Sequence, residues 1–204
     1  MIGIIDLGLG NLLSVSRAFD KIGKNNKIIN NPTDKTDFSL IVLPGVGSYN
    51  YAIQTLKQKK FDKWLLQKAR EKKNILGICL GMQLLCNSSI EKKKTNGLKF
   101  FKQDVIKLKK IKTPNVGWFN ILTKKKNLFN IKSKSRFYFT HSFMYSKIDK
   151  SCIGYIMNDG QKIPAIIKEK NIIGLQFHPE KSREHGLLLL KNIVEKEFKI
   201  KNDN

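Results

Sequence analysis

Cys79 lies in the stretch Gly77-Ile78-Cys79-Leu80-Gly81, where a glycine stands two residues before and two residues after it. Small residues at those positions let a chain pass through a tight strand-to-helix turn that lifts a nucleophile to the carboxyl end of a sheet. A helix starting there favours thiolate over thiol. The backbone N–H of Leu80, the next residue, is placed to donate to an oxyanion. The plainer alternative is a buried apolar cysteine beside two turn glycines. Cys86 and Cys152 have no comparable setting and are read as such. A second group, Gln176-Phe177-His178-Pro179-Glu180, offers a base and its orienter. Glu180 can fix the tautomer of His178 and support the imidazolium formed when it takes the thiol proton. Alone, a His-Pro-Glu loop is as well explained by a surface histidine. Combined with the cysteine turn it becomes a candidate Cys–His–Glu triad. The third group is Pro44-Gly45-Val46-Gly47, whose glycines permit close backbone approach and positive φ. An N–H from Gly47 facing Cys79 would complete an oxyanion hole, although an ordinary strand–helix turn also uses glycine.

The elements that must position these groups follow from hydrophobic spacing. The first half reads as alternating strands and helices: strands over 2–6, 27–30, 40–43 and 74–78, and helices over 11–22, 48–59, 61–71 and 82–87. Repeated strand–helix units imply right-handed crossovers and a parallel sheet covered on both faces. The second half changes character. Short apolar runs near 98–101, 104–109, 117–121, 136–139, 152–157, 163–168 and 171–176 predict strands, with Asn158-Asp159-Gly160 as a turn between two of them. A helix is expected over 183–197. The expected fold class is α/β, a mixed sheet with a parallel core and antiparallel additions. Without a repeat or a long Pro/Gly/Ser linker, the 204 residues read as a single domain over 1–204.

Composition excludes several classes. Hydrophobic residues make up 41% of the chain, which argues against global disorder. No apolar run approaches the ~20 residues of a membrane span, and the first residues do not resemble a signal peptide. An odd number of cysteines, three, without a CxxC pair argues for free thiols in a reducing compartment and against a zinc cluster. The expectation is a soluble cytoplasmic protein without a metal site. The net charge of +23 raises nucleic-acid binding as a reading. Against it, lysine far outnumbers arginine and is spread along the whole chain, whereas specific base contacts lean on arginine.

Taken together, Asp6-Leu7-Gly8-Leu9-Gly10-Asn11-Leu12, Leu43-Pro44-Gly45-Val46-Gly47, Gly77-Ile78-Cys79-Leu80-Gly81-Met82-Gln83-Leu84-Leu85, Gly117-Trp118, Phe137-Tyr138-Phe139-Thr140-His141-Ser142 and Gly174-Leu175-Gln176-Phe177-His178-Pro179-Glu180-Lys181-Ser182 resemble the class I (triad) glutamine amidotransferases. Within them the match is to the glutaminase subunit of imidazole glycerol phosphate synthase, and it runs from residue 2 to about 196. An anthranilate-synthase-type relative would show Pro-Gly-Pro-Gly at 44–47. The resemblance implies a three-layer, flavodoxin-like class I glutamine amidotransferase fold and no cofactor. It also implies Cys79 as nucleophile, His178 as base and then acid, Glu180 as orienter, and Gly47 and Leu80 as oxyanion donors. Gln83, Glu91, Thr140, His141 and Ser142 match positions that hold glutamine in this family. Glu91 sits in a lysine-rich loop, where a solvated glutamate is equally expected, and His185 matches no motif and is expected at the surface.

The resemblance further implies a heterodimer with a (β/α)8-barrel cyclase subunit. Ammonia from glutamine would serve the joint formation of imidazole glycerol phosphate and 5-aminoimidazole-4-carboxamide ribonucleotide in histidine biosynthesis. The family pattern also implies weak activity without the partner, with the 45–47 loop reshaped when the partner is filled. One departure stands out: the family reads Pro-His-Met-Gly-Trp where this chain has Pro114-Asn115-Val116-Gly117-Trp118, in a loop resembling the part that faces the synthase. That keeps open a paralogous glutaminase supplying ammonia for amino-sugar surface polysaccharides. A basic nucleic-acid-binding module on a degenerate amidotransferase fold and a related cysteine peptidase are the remaining alternatives. The complete Cys, His and Glu set speaks against the binding module, and the glutamine-holding positions speak against the peptidase.

Overall fold

The computed structural model describes residues 1–109 and 111–200. Its central sheet grows from four short runs, three of them apolar and buried on both faces as inner strands of a parallel sheet must be, and one at the edge that buries only Ile29. These are β1 (Ile2–Ile5), β2 (Asn26–Ile29), β3 (Leu40–Leu43) and β4 (Asn74–Ile78), interleaved with helices α1 (Leu12–Lys21), α2 (Tyr49–Gln58) and α3 (Phe61–Arg70). The two-residue period of a strand divides each run between two cores. Ile2, Ile4, Leu40, Val42 and Leu76 pack with Val15 and Phe19 of α1. Ile5, Ile41, Leu43 and Ile75 pack with Ile53, Leu56 and Leu65 of α2 and α3.

The helix α4 (Leu80–Leu84) follows β4 directly, and short strands continue the chain: β5 (Ser88–Ser89), β6 (Thr95–Asn96), β7 (Val105–Lys107), β8 (Asn115–Asn120), β9 (Leu122–Thr123), β10 (Arg136–His141) and β11 (Phe143–Tyr145). They are followed by β12 (Cys152–Asn158), β13 (Gln161–Glu169), β14 (Ile172–Leu175) and α5 (Arg183–Asn192). The main sheet has the order β2-β1-β3-β4-β14-β13-β12-β9. Strands β1 to β4 and β14 run parallel, and β13, β12 and β9 extend that core in antiparallel fashion. Smaller sheets pair β10 with β8 and join β11, β7, β5 and β6. The parallel part follows the doubly wound order in which ligands sit beyond the carboxyl ends of the strands. The expected α/β class with a mixed sheet is the observed one.

Three local outcomes differ from expectation. Residues 98–101 form no strand. The N–H groups of Leu98, Lys99, Phe100 and Phe101 donate to the carbonyls of Leu84, Cys86, Leu85 and Leu85, so this segment satisfies the open end of α4 instead of joining a ladder. The helix expected over 82–87 starts two residues earlier, immediately after Cys79. The last helix changes at Ile193 to a π-helical turn over Ile193–Glu197. Asp159 and Gly160, at φ 43° and 74°, make the expected two-residue turn between β12 and β13.

Candidate active site

Four segments leave the carboxyl ends of the adjacent strands β1, β3, β4 and β14, and they converge. After β4 the chain turns through Cys79 at φ 52° and ψ −107°, a strained conformation that side-chain-bearing residues rarely adopt. The flanking glycines are required by space. A Cβ on Gly81 would lie 1.7 Å from the Leu43 carbonyl oxygen, and one on Gly77 would lie 2.7 Å from the Met82 nitrogen. The Cys79 N–H donates to the Leu175 carbonyl at 2.7 Å, which ties the turn to β14. Leu80 opens α4, so its N–H lies in the first turn, where helices leave donors without an intrahelical acceptor. Because Leu43 pairs with Gly77, the loop after β3 falls beside this turn. Gly47 takes φ 106° there, which a glycine permits.

After β14 the buried Phe177 anchors the chain, its ring centroid 4.7 Å from Phe137 and 5.4 Å from Phe139. His178 is held at both ends of its backbone: its N–H donates to Tyr138 O at 2.9 Å, and its carbonyl accepts from Ser182 Oγ at 2.6 Å. His178 Nδ1 donates to Glu180 Oε1 at 2.7 Å, with both side chains out of solvent. Nε2 is buried and makes no hydrogen bond of ordinary geometry to any protein group; the sulfur of Cys79 is the group that acts on it. Burial alone would draw His178 toward the neutral ring. Cys79 and then Glu180 favour the charged ring more strongly, and the balance raises it to about 10. Burial pushes the Cys152 thiol up to about 11 and that of Cys86 further still.

Gly47, Cys79, Leu80, Gln83, Glu91, Thr140, His141 and Ser142 line one cavity of about 320 Å³, together with Val46 and Phe143. His178 and Glu180 stand behind Cys79 in the interior. Glu91 is half-buried at the cavity, where its Oε2 accepts from the N–H of Tyr49 at 2.9 Å. The loop glutamate is therefore tied to the start of α2 instead of standing free in solvent. Gln83 Nε2 donates to Phe143 O at 3.0 Å and to Gln176 Oε1 at 3.2 Å. Both its amide hydrogens are thus used inside the protein. Both ring nitrogens of His141 are engaged too, with Phe143 O at 2.8 Å and Asn115 Nδ2 at 3.1 Å. His185 is partly covered, with Nδ1 accepting from the N–H of Arg136 at 3.3 Å, and lies outside this cavity.

Three contributors had no site role assigned from the sequence. Asn11, at φ 65° in the loop after β1, donates from Nδ2 to Glu180 Oε1 at 2.5 Å. Gln176 places Nε2 3.9 Å from Cys79 Sγ. Asn115, expected in a partner-facing loop, turns inward and is 2% exposed, whereas its neighbour Val116 is exposed. Pairs separated by 26 to 169 residues leave no local signal. The available hints were Asn11 itself, a residue type that tolerates left-handed backbone, and the departure from the family pattern at Asn115. Among the described residues no group of three His, Cys, Asp or Glu is placed to hold a metal ion, and no helix is long and apolar enough to cross a membrane.

The model of the family glutamine amidotransferase class-I matches residues 3–196. Imidazole glycerol phosphate synthase subunit HisH of Caldanaerobacter subterraneus is 42% identical over 198 residues, covering 96% of this chain and 98% of the relative. The protein of the same name from Bacillus subtilis is 34% identical, with 93% of each chain covered. Among solved structures, a crystal structure titled glutamine amidotransferase superposes with a TM-score of 0.75 at 13% identity, covering 94% of this chain and 98% of that one. PurLQS from Thermotoga maritima superposes with a TM-score of 0.73 at 21% identity, covering 95% and 97%. The elbow at Cys79, the buried histidine behind it and these likenesses agree, and the chain belongs to the class-I glutamine amidotransferases, an enzyme of the group that contains the glutaminase subunit of imidazole glycerol phosphate synthase.

Proposed function

We propose that this chain hydrolyses L-glutamine to glutamate and ammonia through a thioester on Cys79, and that it delivers the ammonia to a (β/α)8-barrel cyclase subunit. The observation that carries the reading is the buried line Cys79–His178–Glu180 opening onto the 320 Å³ cavity. Cys79 Sγ attacks the carboxamide carbon, its proton having passed to His178 Nε2. The N–H groups of Gly47 and Leu80 receive the developing oxyanion. His178 returns the proton to the departing nitrogen, and ammonia leaves. Water, deprotonated by His178, then attacks the thioester, and glutamate and the free thiol are restored. Glu180 keeps the proton of the neutral ring on Nδ1, which leaves Nε2 free as the base. In the cavity, Glu91 is the charged side chain suited to an α-ammonium group, and Ser142 and Thr140 offer donors.

The relatives named as imidazole glycerol phosphate synthase subunits support a synthase partner and imidazole glycerol phosphate as a joint product, to which this reading adds 5-aminoimidazole-4-carboxamide ribonucleotide. Asn115, the departure that raised a different pathway, points into the protein and so bears on the site's interior. The test is glutamate release by the chain and its Cys79→Ala variant, each with a (β/α)8-barrel cyclase subunit added. The variant is expected to be inactive; an unchanged rate would sink the assignment.

A further inference from the structure

His141 is buried beside the nucleophile, and its two hydrogen bonds determine where its proton sits. A carbonyl oxygen only accepts, so Phe143 O, 2.8 Å from Nδ1, requires the proton on Nδ1. Nε2 of the neutral ring must then accept, and Asn115 Nδ2 supplies the donor at 3.1 Å. This orients the Asn115 amide, whose Oδ1 accepts from Asn158 Nδ2 at 3.0 Å. The chain Asn158 to Asn115 to His141 to Phe143 runs in one direction, from the β12 end to a backbone carbonyl. Antiparallel pairing places Asn115 directly opposite His141, so the contact is built into the β8–β10 ladder.

A second proton on Nε2 would face the Asn115 amide hydrogens. Relieving that clash needs two buried amides to reverse together. The new cation would also lie near His178, with which His141 already interacts unfavourably. Other charged or titratable groups around the ring are few. Cys79 and Glu91 border the same cavity, Glu180 lies behind His178, and Lys107 opposite Phe143 and Asp159 beside Asn158 are exposed. None of these makes a hydrogen bond to either ring nitrogen of His141. The same Phe143 carbonyl accepts from Gln83, which bonds Gln176, whose amide reaches Cys79 Sγ. The His141 branch and the nucleophile branch thus meet at one atom.

We propose that Asn115 is a positioning residue that holds His141 neutral with its proton on Nδ1, so that a single imidazolium, that of His178, stands at the nucleophile. Its bearing on turnover rests on the glutaminase reading above; the protonation state itself does not. The chain contains three histidines, so ¹⁵N-histidine NMR of the full chain resolves each ring. His141 is expected to show a protonated Nδ1 and a bare Nε2 throughout about pH 5.5 to 8.5, where an ordinary histidine titrates. In Asn115→Asp the ring takes up a proton from solvent on Nε2, which donates a hydrogen bond to the new carboxylate, so His141 becomes doubly protonated at neutral pH and the titration of His178 moves to lower pH. With the cyclase partner, kcat of that variant is expected to fall about tenfold while KM changes little, the mark of a lost transition-state contribution.

A wild-type His141 protonated on Nε2, or one titrating within that range, overturns the proposal even if Asn115→Asp does not fold. So does a folded Asn115→Asp whose His141 stays neutral. The expected NMR result in a protein that releases no glutamate supports the assignment and counts against the glutaminase reading alone.

Discussion

Glu180→Gln is the substitution whose outcome the geometry constrains most. Oε1 of Glu180 receives both His178 Nδ1 at 2.7 Å and Asn11 Nδ2 at 2.5 Å, whereas Oε2 is buried without a hydrogen-bond partner. A glutamine there has one favourable orientation, with its carbonyl oxygen between two donors and its NH₂ in the unpartnered position. The tautomer of His178 is therefore kept, and what is lost is charge. Replacing a charged acceptor by a neutral one removes about 1–1.5 kcal/mol of support for the imidazolium, roughly a tenfold fall in kcat. A full charge pair at ~4 Å and an effective dielectric near 20 is worth about 4 kcal/mol, which sets a ceiling near a thousandfold. Asn11 is what holds the orientation. Asn11→Gly removes the amide while suiting the left-handed backbone, and alone it is expected to cost less than about tenfold, the value of one hydrogen bond. In the double variant the introduced glutamine is free to turn its NH₂ toward Nδ1. The proton is then forced onto Nε2, and the loss approaches the roughly ten-thousandfold of a wrong-tautomer triad. Steady-state glutamate release with the cyclase partner, for the four proteins of this cycle, measures the coupling. Equal losses for Glu180→Gln with and without Asn11 would refute the reasoning.

Further outcomes follow from single distances and conformations. Gly81→Ala places a Cβ 1.7 Å from the Leu43 carbonyl, which cannot retreat within β3, and is expected to cost more than about 3 kcal/mol, read as a lost or strongly lowered melting transition. Gly47→Ala meets nothing closer than Leu9 Cδ2 at 3.9 Å but holds φ 106°, so the loop should shift, with glutaminase activity down about a hundredfold and the melting temperature nearly unchanged. Burial lowers His141 from its ordinary 6.5 to about 4, so the unfolded chain binds the extra proton between those values. Stability is then complete above pH 6.5 and falls as pH drops toward 4, by at most about 1.4 kcal/mol per pH unit from this group. Urea midpoints across that range should show the slope, and His141→Gln should reduce it.

Hydrophobic period made β1 to β4 and α1 to α3 legible, because β1, β3 and β4 are self-contained apolar runs, β2 carries the pair Ile28-Ile29, and each helix is a single stripe. The second half was harder for a physical reason. Strands of two or three residues such as β5, β6, β9 and β11 are too short to show a period, and 98–101 is apolar because it closes over α4, burying Leu98 and Phe101. In the site, Cys79 and His178 announced themselves through glycines and a strand end. Their supports did not. Asn11 read as the first residue of a helix, Gln176 as the last residue of a strand, and Asn115 as a position in a partner-facing loop. Each acquires its role from a partner that only the sheet order brings near. The same order explains why the site lies where it does: the loops after β1, β3, β4 and β14 belong to four neighbouring strands.

Everything proposed for the chemistry depends on Cys79 forming a covalent acyl intermediate. Acid quenching of the chain with its cyclase partner during turnover of isotope-labelled glutamine, followed by peptide mass analysis, tests it most directly. A γ-glutamyl adduct is expected on the peptide containing Cys79, with Cys86 and Cys152 unmodified and no adduct in Cys79→Ala. Labelled glutamate released at the full rate by Cys79→Ala, or an adduct on another residue, would contradict it.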